Sequence, residues 1–242
     1  MGVIIIKAYI QIDGINSFYS LGLHMYLMDI ESINEDIEHT PVEGRSGTLT
    51  ERKGTYPDRK LRFGFDLKRR SNESLESFYS RIFDVEEWID NSIGKELICF
   101  TNCNFKYLIK SVSKKTDPTM HMCSIEIEFI CDPFRYLANE TPIVLNSGTN
   151  IFYVGTIPGE CNIKIYGQGN VQLTINSNTI IINNINDYVE LDSKLLECTD
   201  KDRLSKTRDM IGHFFVLTRG DNKISWVGNV SKIEILPRTA FK

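Results

Sequence analysis

One stretch of the chain has the apolar spacing of an amphipathic helix. Residues 71–94, SNESLESFYSRIFDVEEWIDNSIG, place apolar side chains every three to four positions, which is the period of one helical face. The predicted stripe consists of Leu75, Phe78, Ile82, Val85 and Ile89, widened by Tyr79 and Phe83. Ser71 or Asn72 is placed to cap the first turn, and Gly94 is placed to end the helix.

Alternation of apolar and polar positions predicts strands in the rest of the first half. Residues 95–112, KELICFTNCNFKYLIKSV, have the pattern of a hairpin that turns around Thr101 to Asn104. Residues 120–131, MHMCSIEIEFIC, alternate strictly, so one face of that strand is expected to be buried. The apolar face holds Cys123, Ile125, Ile127 and Phe129, together with His121.

The second half reads as a series of short strands separated by turns rich in Asn, Gly, Asp and Ser, which is typical of a β-sandwich. We place the boundary so that the domains are residues 1–138 and 139–242. Residues 199–212, TDKDRLSKTRDMIG, lack alternation and are expected to form a loop or one short helix. The predicted fold class is mainly β with one helix (α+β), and the first domain is a sandwich or barrel-like sheet with a helix and a hairpin.

Composition narrows the function classes. A chain of 242 residues with 41% hydrophobic residues can bury a sizeable core, and its formal net charge of -4 argues against a surface devoted to nucleic acid. The apolar run Val3 to Ile6 is too short for a signal peptide or a membrane span, and Ile6 argues against myristoylation. The chain is therefore expected to be made in the cytoplasm, with its six cysteines reduced and buried.

The stretch Gly44-Arg45-Ser46-Gly47 resembles two catalytic motifs only superficially. It lacks the Lys-Ser or Lys-Thr of a phosphate-binding loop, and its glycines are wrongly spaced for a nucleophile turn. We interpret it as a tight turn that enters a projecting hairpin, with a further reversal at Lys53-Gly54 or at Tyr56-Pro57-Asp58.

A metal site is the sharpest chemical alternative. Cys99 and Cys103 flank the predicted hairpin tip, and His121 and Cys123 lie on one strand face, so together they offer four zinc ligands. Their spacing is not that of paired C-x-x-C motifs, and buried cysteines explain the same residues. No catalytic triad or metalloprotease motif is present, so we expect no enzyme and no cofactor.

Charge is distributed in two adjacent blocks of opposite sign. Residues 29–43 contain six acids and no Lys or Arg, whereas residues 44–70 contain nine bases and three acids. The blocks are either two solvated edges of one sheet or surfaces that bring identical subunits into register. On the second reading, the bases of one copy meet the acids of the next: Arg45, Arg52, Lys53 and Arg59 with Glu35, Asp36 and Glu38.

The succession of motifs VEGR, EEW, CDPFRY and LTRGDN resembles the distal tail (Dit) proteins of long-tailed, siphovirus-type bacteriophages. The resemblance covers nearly the whole chain, and its second half is similar to the galectin-like sandwich of that family, in segments such as IKIYGQGNVQLTIN and HFFVLTRGDNKISWVG. It implies a structural virion protein: a ring, usually of six copies, that joins the end of the tail tube to the tail-tip or baseplate apparatus for host attachment.

The same resemblance implies the partners and the location. The expected partners are other copies of the chain, the tail tube protein, a tail-tip or baseplate hub protein and, as a further candidate, a receptor-binding protein. Neither specific nucleic-acid binding nor membrane insertion is expected. The protein would be assembled in the bacterial cytoplasm and reside at the virion tail tip, or in a phage-tail-like particle.

Two other function classes remain open. A carbohydrate-binding module is suggested by the second sandwich and by Tyr153, Tyr166, Tyr188 and Trp226, although aromatic residues of a sandwich are more often core. A metal-bound regulatory protein rests only on the cysteine set. Oligomeric state discriminates among these classes, because a tail component forms a closed symmetric ring whereas a module tends to be monomeric.

Overall fold

The chain divides at Ala138 into two units, and each has its own hydrophobic core. A computed structural model describes residues 7–242. The apolar run Val3 to Ile6 therefore lies outside the described residues. The second unit comprises Asn139–Lys242.

The first unit combines antiparallel strands with one helix. Its strands follow the spatial order β2-β1-β7-β8-β9-β6-β3, with β10 paired to the start of β8 and with β4 and β5 forming a separate two-stranded sheet. The elements are β1 (Ile10–Ile12), β2 (Ile15–Asn16), β3 (Leu23–Ile30), β4 (Ile37–Pro41), β5 (Thr48–Arg52), β6 (Arg59–Lys68), α1 (Leu75–Asp90), β7 (Glu96–Cys99), β8 (Phe105–Pro118), β9 (Met122–Cys131) and β10 (Arg135–Leu137).

Strict alternation along β6 and β9 builds the core of this unit. Leu61, Phe63 and Phe65 point inward from β6, and Ile125 and Phe129 point inward from β9. All five side chains are fully buried, and they belong to the same hydrophobic cluster as the buried face of α1. The predicted hairpin between β7 and β8 and the buried face of β9 are both confirmed. One helix closing a sheet is what the hydrophobic pattern requires, because each element buries a single face.

The helix is shorter than predicted and buries a different set of residues. Ser74 caps it, with its Oγ accepting from the Ser77 N–H at 3.1 Å, so the expectation of Ser71 or Asn72 is wrong. The reason is local: Glu73 accepts from the Arg70 N–H at 2.9 Å and pairs with Arg81 at 2.7 Å, which holds the preceding residues in a turn.

The widening of the stripe is also wrong. Tyr79 and Phe83 are 38% and 67% exposed, and Leu75 is exposed as well. Trp88, on the other flank of the helix, is buried instead. The core therefore lies toward the opposite side of the stripe from the one that Tyr79 and Phe83 extend.

The second unit is built on three long strands. Its elements are β11 (Ile143–Leu145), β12 (Thr149–Tyr153), β13 (Asn162–Ile175), β14 (Asn178–Asp192), β15 (Glu197–Asp200), a 3-10 helix (Thr207–Asp209), β16 (Met210–Ile211), β17 (Gly220–Leu236) and β18 (Ala240–Phe241). The predicted pairs of short strands CNIKIYGQG and VQLTINSN, TIIINNIN and YVELDS, and KISWVGN and SKIEIL are each one continuous strand, β13, β14 and β17. HFFVLTRGDN is irregular until Gly220.

Both halves of the long strands face one core. Ile163, Ile165 and Leu191 lie in one half, Leu173 and Ile180 lie in the other, and all belong to a single buried cluster. The ladders β13–β14 and β13–β17 slip in register between Tyr166 and Gln172, so the sheet bends there. A bulge at this position increases local bending and twist, which lets one sheet supply both layers of a sandwich.

Glycine at the bend is required by the close approach of β17. A Cβ at Gly167 would lie 2.3 Å from the carbonyl oxygen of Asn229 and 3.2 Å from the Val230 Cα. Backbone cannot move aside without breaking the ladder, so only glycine fits between β13 and β17 here.

A half-buried ion pair joins Arg238 to the end of β14. Arg238 donates to both oxygens of Asp192 at 2.6 Å, and Asp192 also accepts from the backbone N–H groups of Lys194 and Leu195 at 3.0 Å. Burial opposes ionisation of Asp192, but Arg238 and the Leu195 N–H outweigh it and hold the pKa of that carboxyl at about 2. The charged form is therefore part of the folded state.

The Asp192 pair predicts a specific pH dependence. The folded pKa of about 2 lies below the unfolded value of about 3.9, so the stabilisation is present above pH ~4 and disappears as the pH falls through about 2. We expect Arg238→Gln to lower the free energy of unfolding at pH 7 by about 1 kcal/mol, given partial solvent screening.

The measurement is thermal unfolding across pH, together with NMR titration of the Asp192 carboxyl. In the Arg238→Gln variant the titration midpoint should rise toward the ordinary aspartate value. Arg208→Gln, which removes an exposed arginine of the same unit, is the matched control and should leave that midpoint in place. An unchanged midpoint in Arg238→Gln would contradict this account.

Candidate functional site

The feature of the first unit that is not explained by its core is a hairpin inserted between β3 and β6. We call residues 31–58 the arm. Its strands β4 and β5 pair from Ile37↔Arg52 to Pro41↔Thr48, and every residue of both strands is exposed. A two-stranded sheet without a hydrophobic face to bury is marginally stable in water. Packing against the core of its own subunit therefore does not account for the arm.

The Gly-Arg-Ser-Gly stretch is the turn at the tip of the arm. Gly44 and Gly47 have φ of +78° and +90°, and nothing lies within 4 Å of a Cβ placed at either residue. The interpretation as a turn is confirmed, but its expected place at the entrance of the hairpin is wrong, because it joins β4 to β5. Tight reversal requires the left-handed conformation that glycine adopts without strain.

Oppositely charged residues of the arm pair with each other inside one chain. Arg52 pairs with Glu35, and Lys53 lies 2.9 Å from Glu38. Asp36 accepts from the Thr55 hydroxyl at 2.9 Å. These contacts hold the two sides of the arm together.

Two other predicted contact residues differ sharply in their surroundings. Arg59 is only 6% exposed, donates to the Pro133 carbonyl at 3.1 Å and lies 5.7 Å from the centre of the Tyr107 ring. Arg45, at the tip, is exposed, and within residues 7–242 it has no ion pair. The arginine at the tip is thus available to a partner, whereas Arg59 belongs to the interior of its own subunit.

Among residues 7–242, no strand pairs with the outer edge of β3, which leads directly into the arm. The strand order of the sheet ends at β3, which pairs with β6 along its other side. Tyr26, Leu27 and Met28 of β3 are 52%, 41% and 37% exposed. On the arm itself, Ile37 and Leu49 are also exposed. Unpaired strand edges with apolar side chains are templates for pairing with another chain.

The cysteines are mostly buried thiols. Burial raises the pKa of Cys99 and Cys131 to about 12 and that of Cys123 to about 11, so these groups stay protonated. Cys103 is exposed, which corrects the expectation that all six are buried. His121 is exposed too, and among residues 7–242 no group of three or more potential ligands could hold a metal ion.

The candidate sugar-binding aromatics of the second unit do not present bare faces. Tyr153 is 2% exposed, and its hydroxyl donates to the Ile157 carbonyl at 2.8 Å. Tyr166 and Tyr188 lie side by side with ring centres 5.5 Å apart, but lysine ammonium groups stand 4.2 Å from both centres. The ammonium groups belong to Lys232 over Tyr166 and Lys164 over Tyr188. A sugar ring would have to displace these lysines to stack.

Trp226 is half-buried and packs against the second core. No helix in the described part of the chain is both long and apolar enough to span a bilayer. The arm and the adjoining β3 edge are therefore the surfaces whose exposure most needs a functional explanation.

Comparison with known proteins gives a result at the level of structure. No protein-family model matches the chain, and no curated protein matches it. A solved structure does: the Dit (gp 19.1) protein of SPP1, described as a paradigm of the hub adsorption apparatus in phages that infect Gram-positive bacteria. The likeness has a TM-score of 0.72 at 10% sequence identity, and it covers 94% of this chain and 98% of that one.

At this level of identity the likeness establishes the fold. The predicted fold class, mainly β with one helix, is confirmed. The match spans nearly the full length of both chains, so it includes both units of this protein.

Removing the arm provides a direct test of its independence from the core. In the proposed variant, Ile37–Arg52 is replaced by Asn-Gly, a two-residue hairpin turn, because the flanking Lys53 N–H donates to the Asp36 carbonyl at 3.0 Å. We expect the melting temperature to stay almost unchanged, since every deleted strand residue is exposed. Differential scanning calorimetry measures this, and a large drop would show that the arm stabilises its own subunit.

Proposed function

We propose that this protein is a structural subunit of a phage tail adsorption apparatus and forms a hexameric ring at the distal end of the tail. The observation that carries the proposal is the near full-length structural likeness to the SPP1 Dit protein, which extends through both units. An exposed arm beside an open sheet edge supports it, because such surfaces suit a subunit whose fold is completed by neighbours.

In the proposed ring, the arm of one copy lies along the β3 edge of the next copy. This contact is heterologous, so repeated rotation closes a ring rather than a two-fold dimer. Strand addition supplies backbone hydrogen bonds, and the exposed Leu27 and Leu49 are covered in the contact. Arg45 is the cation we place at the contact, whereas the burial of Arg59 argues against a role for it there.

The ring would join the tail tube protein to a tail-tip or baseplate hub protein, with a receptor-binding protein as a further partner. Its place is the virion tail tip, after assembly in the bacterial cytoplasm. The second unit serves as a docking surface without strong sugar affinity, because lysines cover the Tyr166 and Tyr188 rings. Low-micromolar binding on a glycan array would contradict that part of the proposal.

Ring formation is tested by negative-stain electron microscopy of the purified protein at high concentration and low salt. We expect closed six-fold rings, with light scattering reporting six times the 27.8 kDa subunit mass. Particles with only monomer mass at every concentration would reject autonomous assembly.

Reversing the charge at the tip of the arm is expected to weaken the ring. Arg45→Glu should reduce the fraction of assembled protein and leave thermal unfolding within about 0.5 kcal/mol of the parent, because an exposed charge contributes little to folding. Lys223→Glu makes the same change of charge at an exposed strand position of the second unit and serves as the control. Equal assembly of both variants would remove Arg45 from the contact.

A further inference from the structure

We propose that Lys110 is a positioning residue that fixes the direction in which the arm leaves the sheet. The inference rests on the proposed function, because a fixed direction is useful only if the arm must meet a neighbour. Its basis is a set of contacts at the root of the arm, where Tyr56, Asp58 and Arg59 meet the turn after β9.

Lys110 bridges the two sides of the root. Its ammonium lies 2.6 Å from Asp58, at the end of the arm, and 3.3 Å from Asp132, at the end of β9. Asp132 is only 8% exposed, so the carboxylate that holds Lys110 to the main sheet is itself fixed in place. The hydrogen bond to Asp58 contributes most to raising the pKa of Lys110, and Asp132 adds to the effect. The lysine therefore stays charged through neutral pH.

An irregularity in β8 directs Lys110 to this place. Ile109 pairs with Cys131 and Ser111 pairs with Ile130, so Lys110 has no opposite residue in the β8–β9 ladder. A bulge of this kind re-aims the side chain of the extra residue. In a regular ladder, consecutive side chains of β8 would alternate between the two faces of the sheet.

Two further contacts close the root. The Tyr56 ring meets the Phe134 ring edge to face, with centres 5.2 Å apart and planes at 70°. Arg59 donates to the Pro133 carbonyl at 3.1 Å. Ionic, aromatic and hydrogen-bond contacts thus converge on one turn, whereas the strands of the arm beyond the root are wholly exposed. Because the strands of the arm pack against nothing else among residues 7–242, the contacts at its root set the direction of the arm.

The test measures the position of the arm in isolated, dilute subunits. Spin labels are placed at Ser46→Cys on the tip and Ser80→Cys on the exposed side of α1, with the exposed Cys103 changed to Ser. Double electron–electron resonance then gives the distribution of tip-to-helix distances. We expect one narrow distribution in the parent and loss of that narrow peak in Lys110→Met, which keeps the length of the side chain and removes its charge.

Lys106→Met is the matched control, because Lys106 is on the same strand and pairs with Glu96 at 2.7 Å, away from the root. It should retain the narrow peak. If Lys110→Met fails to fold, Asp58→Asn removes the same bridge from the arm side. A parent distribution that is already broad, or a narrow peak that survives in the folded Lys110→Met or Asp58→Asn variant, overturns the inference.

The measurement separates this inference from the proposed function. Distances are recorded on single subunits, so a positioned arm in a protein that never forms rings would reject the ring and leave the role of Lys110 intact. Rings that form normally from Lys110→Met subunits with a broad distance distribution would show that the ring tolerates an unpositioned arm.

Discussion

The pairing of β3 with β6 is the interaction on which the candidate site depends. β6 is held on its other side by ten paired positions with β9, from Arg59↔Cys131 to Lys68↔Met122. The ladder with β3 runs from Leu23↔Leu67 to Ile30↔Leu61, and the chain between these two strands forms the arm, whose β4 and β5 are a separate sheet. Side chains of β6 anchor the hairpin in the core, and the arm beyond it has no core of its own. Strand backbone is stabilised by pairing, so the outer edge of β3, which no described strand pairs, and the exposed arm are the parts of this unit that its own core does not account for.

The second unit meets the same requirement by bending its strands. β13, β14 and β17 each run through both layers of the sandwich. Because they stay side by side, the backbone of β13 is paired with β14 and β17 along almost its whole length. The bend depends on Gly167, where β17 comes too close for any side chain. The core is filled by aliphatic residues together with Tyr153, Phe215 and two cysteines. The polar outer face is occupied by its own contacts, such as the Tyr166 hydroxyl, which donates to Glu234 at 3.1 Å.

Most of the charged residues that the sequence analysis assigned to contacts between copies pair within their own arm. The acidic and basic blocks lie on opposite sides of one hairpin, so Glu35 and Glu38 meet Arg52 and Lys53 of the same chain. Exposed pairs of this kind contribute little to stability, and they specify the pairing of the hairpin more than its strength. Arg45, at the turn, is exposed and lies outside these pairs.

Four local features could be predicted from the amino-acid sequence: the helix over Phe78, Ile82, Val85 and Ile89, the β7–β8 hairpin, the buried face of β9 and the turn at Gly44 to Gly47. Each depends on the spacing of apolar residues close together in sequence or on the conformational freedom of glycine. Three other features emerge only in the folded chain: which flank of the helix is buried, the continuity of the paired short strands, and the contacts of Lys110 with Asp58 and Asp132. These outcomes depend on strands far apart in sequence. A bulge, or a lysine shared by two carboxylates, leaves no periodic signal, because its effect arises only when the register of the sheet is set.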